Sequence, residues 1–163
     1  EVPTLSDWAD HLTTAFPEAR MKKFIEMRGA DGGPWRRLCA LPAFWVGLTY
    51  DQEALDAAWD LVKGLDAGTR DALRVVASSH GLQGSANGVL LHDLAREAVA
   101  ISHKGLVNRA RSGAGGMVPD ETHFLNALHE TVESGMTPAD ELLDKYHGDW
   151  GGDLSRIYKE YSY

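Results

Sequence analysis

The sequence predicts a mainly α-helical fold with one short strand, and three observations carry that reading. Apolar residues recur at spacings of three and four over most of the 163 residues. Recognisable helix caps punctuate the chain. Only one stretch, 22–28, alternates with the period of two that a strand requires. A chain with 44% hydrophobic and 25% charged residues has the composition of a globular protein, not a disordered one. Its length suits a single domain, 1–163, built on one core. No internal repeat is visible.

Taken in order, Ser6 is the predicted N-cap of a helix from 7 to about 16, stopped by Pro17. In 22–28, Lys23, Ile25 and Met27 fall on one face and Phe24, Glu26 and Arg28 on the other. This is the predicted strand, and with the turn at 29–33 it makes a motif at about 22–33 ahead of a helical region, 34–163. Pro34 suits the first position of a helix through 48, with a bend at Pro42. Asp51 caps a helix carrying Leu55, Trp59 and Val62, and another helix runs from about 69 to 79. Phe44, Trp45 and Trp59 sit at core-like spacings.

A loop at 81–88 leads into a longer helix to about 111. Leu91, Leu94, Ala95, Ala98, Val99 and Ser102 make its buried stripe. Residues 112–116 read as a link. Pro119 and Asp120 open a helix through Phe124, Leu125, Leu128 and Val132, closed by Gly135. Thr137, Pro138 and Asp140 supply a cap, a proline at the first position and a first-turn acid for a helix ending near Gly148. The start, Glu1-Val2-Pro3, has neither an initiator methionine nor a signal pattern and reads as a cut inside a longer protein. The tyrosine-rich end reads as a natural terminus.

Composition excludes several classes. One cysteine, Cys39, leaves no disulfide framework and no cysteine-rich metal site within the chain. No apolar run approaches the roughly 20 residues of a membrane span. A net charge of −8 argues against broad nucleic-acid binding, which draws on a basic surface. The expectation is a cytoplasmic protein in a reducing compartment, with neither nucleic acid nor membrane as partner.

Charge is unevenly placed. Residues 20–37 hold six basic side chains (Arg20, Lys22, Lys23, Arg28, Arg36, Arg37) against Glu26 and Asp31, whereas the rest carries 10 basic and 22 acidic. Such an island focuses field on a small anionic ligand; a solvated face with scattered ion pairs is the competing reading. Glu26 and Arg28 point the same way on the strand, just before the Gly29-Ala30-Asp31-Gly32-Gly33 turn. A carboxylate there can take a divalent cation, a guanidinium can grip an oxyanion at two points, and glycines allow close backbone approach. The helix opening at Pro34 adds the positive end of its dipole. Trp35 and Arg36 are candidates to line a substrate site. Ion pairing or packing is the competing role of that turn, and the favoured one for Trp35 and Arg37. Weaker signals fall away: His129-Glu130 lacks a second histidine, 113–116 follows a helix, and 81–88 lacks the Gly-Lys-Ser/Thr of a phosphate loop.

The run 16–20, Phe-Pro-Glu-Ala-Arg, and the run 24–48, which opens Phe-Ile-Glu-Met-Arg-Gly-Ala-Asp-Gly-Gly-Pro-Trp-Arg-Arg-Leu-Cys-Ala-Leu-Pro, closely resemble plant and proteobacterial glutamate–cysteine ligases. Asp7-Trp8 with His11-Leu12-Thr13-Thr14, Phe124-Leu125-Asn126-Ala127, Thr137-Pro138-Ala139 and the tyrosine terminus extend the resemblance over nearly the whole chain. It covers roughly the last third of such an enzyme, and divergence is expected at 66–86 and 112–118.

The resemblance implies a C-terminal helical part of a glutamine-synthetase-like α+β fold. It implies a ligase that joins the γ-carboxylate of L-glutamate to L-cysteine with ATP and Mg²⁺, the first step of glutathione synthesis. Glutamine synthetases carry a similar Ile-Glu-x-Arg-x-x-Asp string. By that likeness Glu26 is the metal-ligand candidate and Arg28 the catalytic and substrate-binding candidate. Cys39 is the candidate for redox control through a cysteine upstream of this chain, against an inert thiol in an apolar helix. The N-terminal remainder of the same protein is the implied partner, a homodimer is a candidate assembly, and a plant source implies the plastid. One strand cannot supply a whole nucleotide-binding sheet, so the chain alone is expected to be inactive. A non-catalytic helical interaction module derived from the family is the alternative.

Overall fold

The computed structural model describes residues 2–112 and 120–161. The chain divides into two compact units, Glu1–Gly32 and Gly33–Tyr163. It is mainly helical, with two short antiparallel strand pairs.

In the first unit, helix α1 spans Leu5–Leu12. Its cap is Thr4, not Ser6: the Thr4 side chain accepts from Asp7 N–H at 3.3 Å while the Asp7 carboxylate accepts the Thr4 N–H at 2.7 Å, a capping box that satisfies two donors together. The helix stops short of the predicted end near 16. Thr13 and Thr14 donate their hydroxyls to the carbonyls of Asp10 and His11, at 2.6 and 2.7 Å, offering the backbone an alternative to further helix.

The single predicted strand at 22–28 is one arm of a hairpin. Strand β1, Ala19–Met21, pairs antiparallel with β2, Ile25–Met27, and Arg20 stands opposite Glu26. Residues 22–24 make the turn, where Lys22 N–H donates to the Phe24 carbonyl at 2.8 Å. Lys22-Lys23-Phe24 lacks the Asn-Gly or Asp-Gly signature of a tight hairpin, so sequence alone reads straight through it. No described residue of this unit is fully buried.

The second unit holds the core. Pro34 is the N-cap of α2, Trp35–Thr49, rather than its first helical residue, and Pro42 lies inside the helix without ending it. Asp51 caps α3, Gln52–Val62, and Asp66 caps α4, Ala67–His80, each accepting from the backbone three residues on. The predicted loop at 81–88 contains a 3₁₀ turn, Gly81–Gln83, and a minute hairpin of β3, Ser85–Ala86, and β4, Val89–Leu90. Asn87 (φ 51°) and Gly88 (φ 80°) occupy its tip, as a primed two-residue turn requires.

Helix α5, Leu91–Ser112, runs through the middle of the unit and packs on α2 and α3. The predicted opening of the next helix at Asp120 is instead a 3₁₀ turn, Thr122–Leu125, leading into α6, Asn126–Ser134, which Gly135 ends with φ 70°. Residues 113–116 of the predicted link, and Pro119, lie outside the described residues. Helix α7, Pro138–His147, begins with the predicted cap. The 3₁₀ turn Leu154–Arg156 and the single-turn α8, Ile157–Glu160, were not foreseen.

Two clusters form the core: Ala43, Leu106 and Leu125, and Leu48, Ala54 and Ile101, with Phe44 packed against both and Trp45 against the second. Trp59 is not part of it. Its side chain is 63% exposed, because α3 turns its small face, Ala54, Ala57 and Ala58 with Leu61, toward the core. On α5, Val99 and Ser102 are buried, while Leu91, Leu94, Ala95 and Ala98 line an open apolar groove of about 460 Å³ with Leu61 and Leu82. Among the described residues no helix is long and apolar enough to cross a membrane.

Candidate functional site

The hairpin of the first unit brings three charged side chains together. Arg20 and Glu26 are cross-strand partners, so their side chains rise from the same face. Arg20 Nε donates to Glu26 Oε2 at 2.7 Å, and its Nη2 lies 2.7 Å from the same oxygen. Arg28 lies two residues beyond Glu26 and shares its face. Its Nε is 3.8 Å from Oε2, and its backbone N–H donates to the Glu18 carbonyl at 2.8 Å, extending the ladder.

The Arg28 guanidinium carbon stands 5.0 Å from the centre of the Phe16 ring, a cation–π contact that fixes the plane of the fork. Its Nη1 is buried and has no hydrogen-bond partner among the described residues. A buried donor left unpaired costs about 1–3 kcal/mol, and an oxyanion from a ligand would remove that cost. Glu18 stands opposite Arg28 in the extended ladder, with its carboxylate beside Gly29, so two carboxylates accompany the two guanidiniums. Gly29 keeps the backbone open beside Arg28, since a Cβ there would strike the Glu18 carboxylate.

The approaches of Arg20 and Arg28 described above are to Glu26 Oε2, and Oε1 accepts no hydrogen bond among the described residues. That fits one ligand of a hard cation. It does not make a cage: among the described residues no group of three or more His, Cys, Asp or Glu is placed to hold a metal. Mg²⁺ is commonly held by one or two carboxylates together with substrate phosphates, and Glu26 meets that demand as a single contributor.

The remaining sequence candidates stand on α2 in the second unit. Trp35 is 76% exposed and so does not pack. Arg36 pairs with Glu130 of α6 at 2.6 Å on an open surface. Arg37 pairs with Glu141 of α7 at 2.8 Å and keeps a buried Nε without a partner among the described residues. Cys39 is a free, half-buried thiol. The sequence reading passed over Phe16, Glu18 and Arg20 as neighbours of Arg28 and Glu26. The available signal was Arg20 within the basic island, but pairing it with Glu26 requires knowing the turn at 22–24.

A family model described as glutamate-cysteine ligase family 2 matches residues 1–160. The chain belongs to this family. Over all 163 residues it is 47% identical to a relative named glutamate–cysteine ligase, chloroplastic, from Solanum lycopersicum, and 45% identical to one of that name from Arabidopsis thaliana. In each case the match covers the whole chain but only 30% of the relative. A glutamate–cysteine ligase A, chloroplastic, from Oryza sativa subsp. indica is 43% identical, with 32% of its length covered. The chain thus spans about a third of the curated relatives it matches.

Proposed function

We propose that this chain is the C-terminal part of an ATP-dependent ligase that joins the γ-carboxylate of L-glutamate to the amine of L-cysteine, opening glutathione biosynthesis. The names of the relatives support the ligase reading, and their plastid location supports the plastid for a plant protein of this kind. The single observation that carries the site is the buried, unpartnered Nη1 of Arg28 beside Glu26.

The reaction brings anions together. A γ-carboxylate oxygen bonds to the terminal phosphorus of ATP as ADP leaves. The cysteine nitrogen then bonds to the γ-carbon, inorganic phosphate leaves, and the amine loses a proton. Arg28, held by the Phe16 ring and Glu26, supplies fixed positive charge to the carboxylate and the transferring phosphoryl group. A preorganised donor of this kind is worth about 3 kcal/mol. Glu26 would be one carboxylate holding Mg²⁺, with Arg20 fixing its orientation. A bound magnesium ion would neutralise phosphate charge. The remaining sheet and metal ligands belong to the N-terminal remainder, so the 163-residue chain by itself is inactive.

The test is cysteine-dependent ADP release by the parent-length ligase with ATP, Mg²⁺ and L-glutamate. Arg28→Ala should lower turnover by about a hundredfold or more while leaving the fold intact. Turnover that survives the substitution removes Arg28 from the site. Absence of turnover with any amine acceptor removes the ligase reading.

A further inference from the structure

The second unit brings two imidazoles together. His103 of α5 and His129 of α6 meet with ring centres 5.3 Å apart and planes inclined at 72°. Both are half-buried, and neither ring nitrogen of either residue has a hydrogen-bond partner among the described residues. Other histidines are satisfied differently. His92 reaches the Val132 carbonyl at 2.5 Å, His80 the Ser79 hydroxyl at 2.8 Å and His123 the Asp120 carbonyl at 3.0 Å, while His11 and His147 are exposed to water. None of the ring nitrogens of His103 and His129 is among the buried unpaired atoms, so they are open to a partner from solution.

The spacing suggests one. An ion about 2.0–2.1 Å from an imidazole nitrogen lies about 3.2 Å from the ring centre, so two rings on one tetrahedral ion have centres about 5.2 Å apart. The observed 5.3 Å fits that spacing, which is also that of an ordinary edge-to-face ring pair such as Tyr146 and His147. Charge around the pair is favourable as well. The Asp120 carboxylate lies in the field of His103 and His123 and is held below the ordinary carboxylate range, chiefly by hydrogen bonds from the Thr122 hydroxyl and backbone N–H. The neighbouring cations Arg36 and Arg109 are neutralised by Glu130 and Glu121.

We infer that His103 and His129 form a two-imidazole site for a borderline divalent ion such as Zn²⁺, tying α5 to α6, with water filling its open positions. Imidazole suits Zn²⁺, Ni²⁺ and Cu²⁺, whereas Mg²⁺ prefers oxygen.

Isothermal titration of the untagged 163-residue chain with ZnCl₂ tests the site. Binding should saturate at one ion per chain at neutral pH, weaken by roughly tenfold or more in His103→Gln and in His129→Gln, and persist in His80→Gln. Titration with MgCl₂ should leave the site empty. Histidine ring spectra by NMR on the wild type remove dependence on variant folding: the resonances of His103 and His129 should shift together on adding Zn²⁺. Zn²⁺ binding that survives both single substitutions, shifts confined to other histidines, or no saturable binding by folded protein would each overturn the assignment.

Discussion

The Asp140 carboxylate accepts the Thr137 hydroxyl at 2.6 Å and the Thr137 N–H at 2.8 Å, and the Thr137 oxygen accepts from Asp140 N–H at 3.2 Å. These bonds favour the ionised form, the Thr137 hydroxyl most, and hold the Asp140 pKa below its ordinary 3.8. The sign follows from linkage. A depressed folded-state pKa contributes stability that is complete above the unfolded value and is lost as pH falls through the folded one. Asp140→Asn should therefore lower the melting temperature at neutral pH and flatten the acid limb of a plot of melting temperature against pH. Superimposable wild-type and variant curves would remove Asp140 from the acid response. This cap was legible in sequence because Thr-Pro-x-Asp states its chemistry within four residues. Glu26 and Arg28 were legible for the same reason, as a period of two puts them on one face. Arg20 was not, because its contact with Glu26 depends on a register set by an unmarked turn.

Between elements, the close crossing of α2 and α5 depends on two glycines. A Cβ on Gly105 would run into the Gly47 carbonyl and come within 2.9 Å of the Ala54 Cβ, and one on Gly47 would strike the backbone and hydroxyl of Ser102. The obstacles are mostly backbone, so relief requires the helices to separate. That would disturb the Ser102 hydroxyl's 2.9 Å bond to the Phe44 carbonyl. Gly105→Ala should cost about 1–3 kcal/mol as overpacking, a fall of about 2–4 °C in melting temperature per kcal/mol for a chain of this size. Gly64 meets nothing within 4 Å, so Gly64→Ala should be neutral or slightly stabilising. Thermal melts that move alike for the two variants would show that the helices are not in close contact. The same crossing explains why the face of α3 was misassigned. Leu55, Trp59 and Val62 form the more apolar stripe, but the partner surface at Gly105 admits Ala54 and leaves Trp59 outside. Hydrophobic periodicity finds a stripe; it does not reveal which face a tight neighbour will accept.

Across the whole molecule, burial and the proposed chemistry are segregated. The core clusters all lie within Gly33–Tyr163, and Leu106 and Leu125 are at most 1% exposed. In the first unit Phe16, Met21, Phe24 and Ile25 are each more than 60% exposed, and its sheet consists of two strands of three residues. A hairpin of that size is marginal in water unless further strands or a helix cover it. Local opening free energies range from near zero in such segments up to the global value in a core. Hydrogen exchange on the 163-residue chain should therefore show fast amides at Lys22 and Arg28, although each is hydrogen-bonded, and protection concentrated in α5 around Val99 and Leu106. If the proposed ligase reading is right, the same hairpin amides should become protected in the parent-length protein, where further strands cover the Phe24 and Ile25 side chains. Glu26 and Arg28 would then gain the rigidity that electrostatic preorganisation requires. Strong protection at 19–28 in the short chain would mean the hairpin is stable without those strands, and the argument that this chain is inactive for want of them would fail.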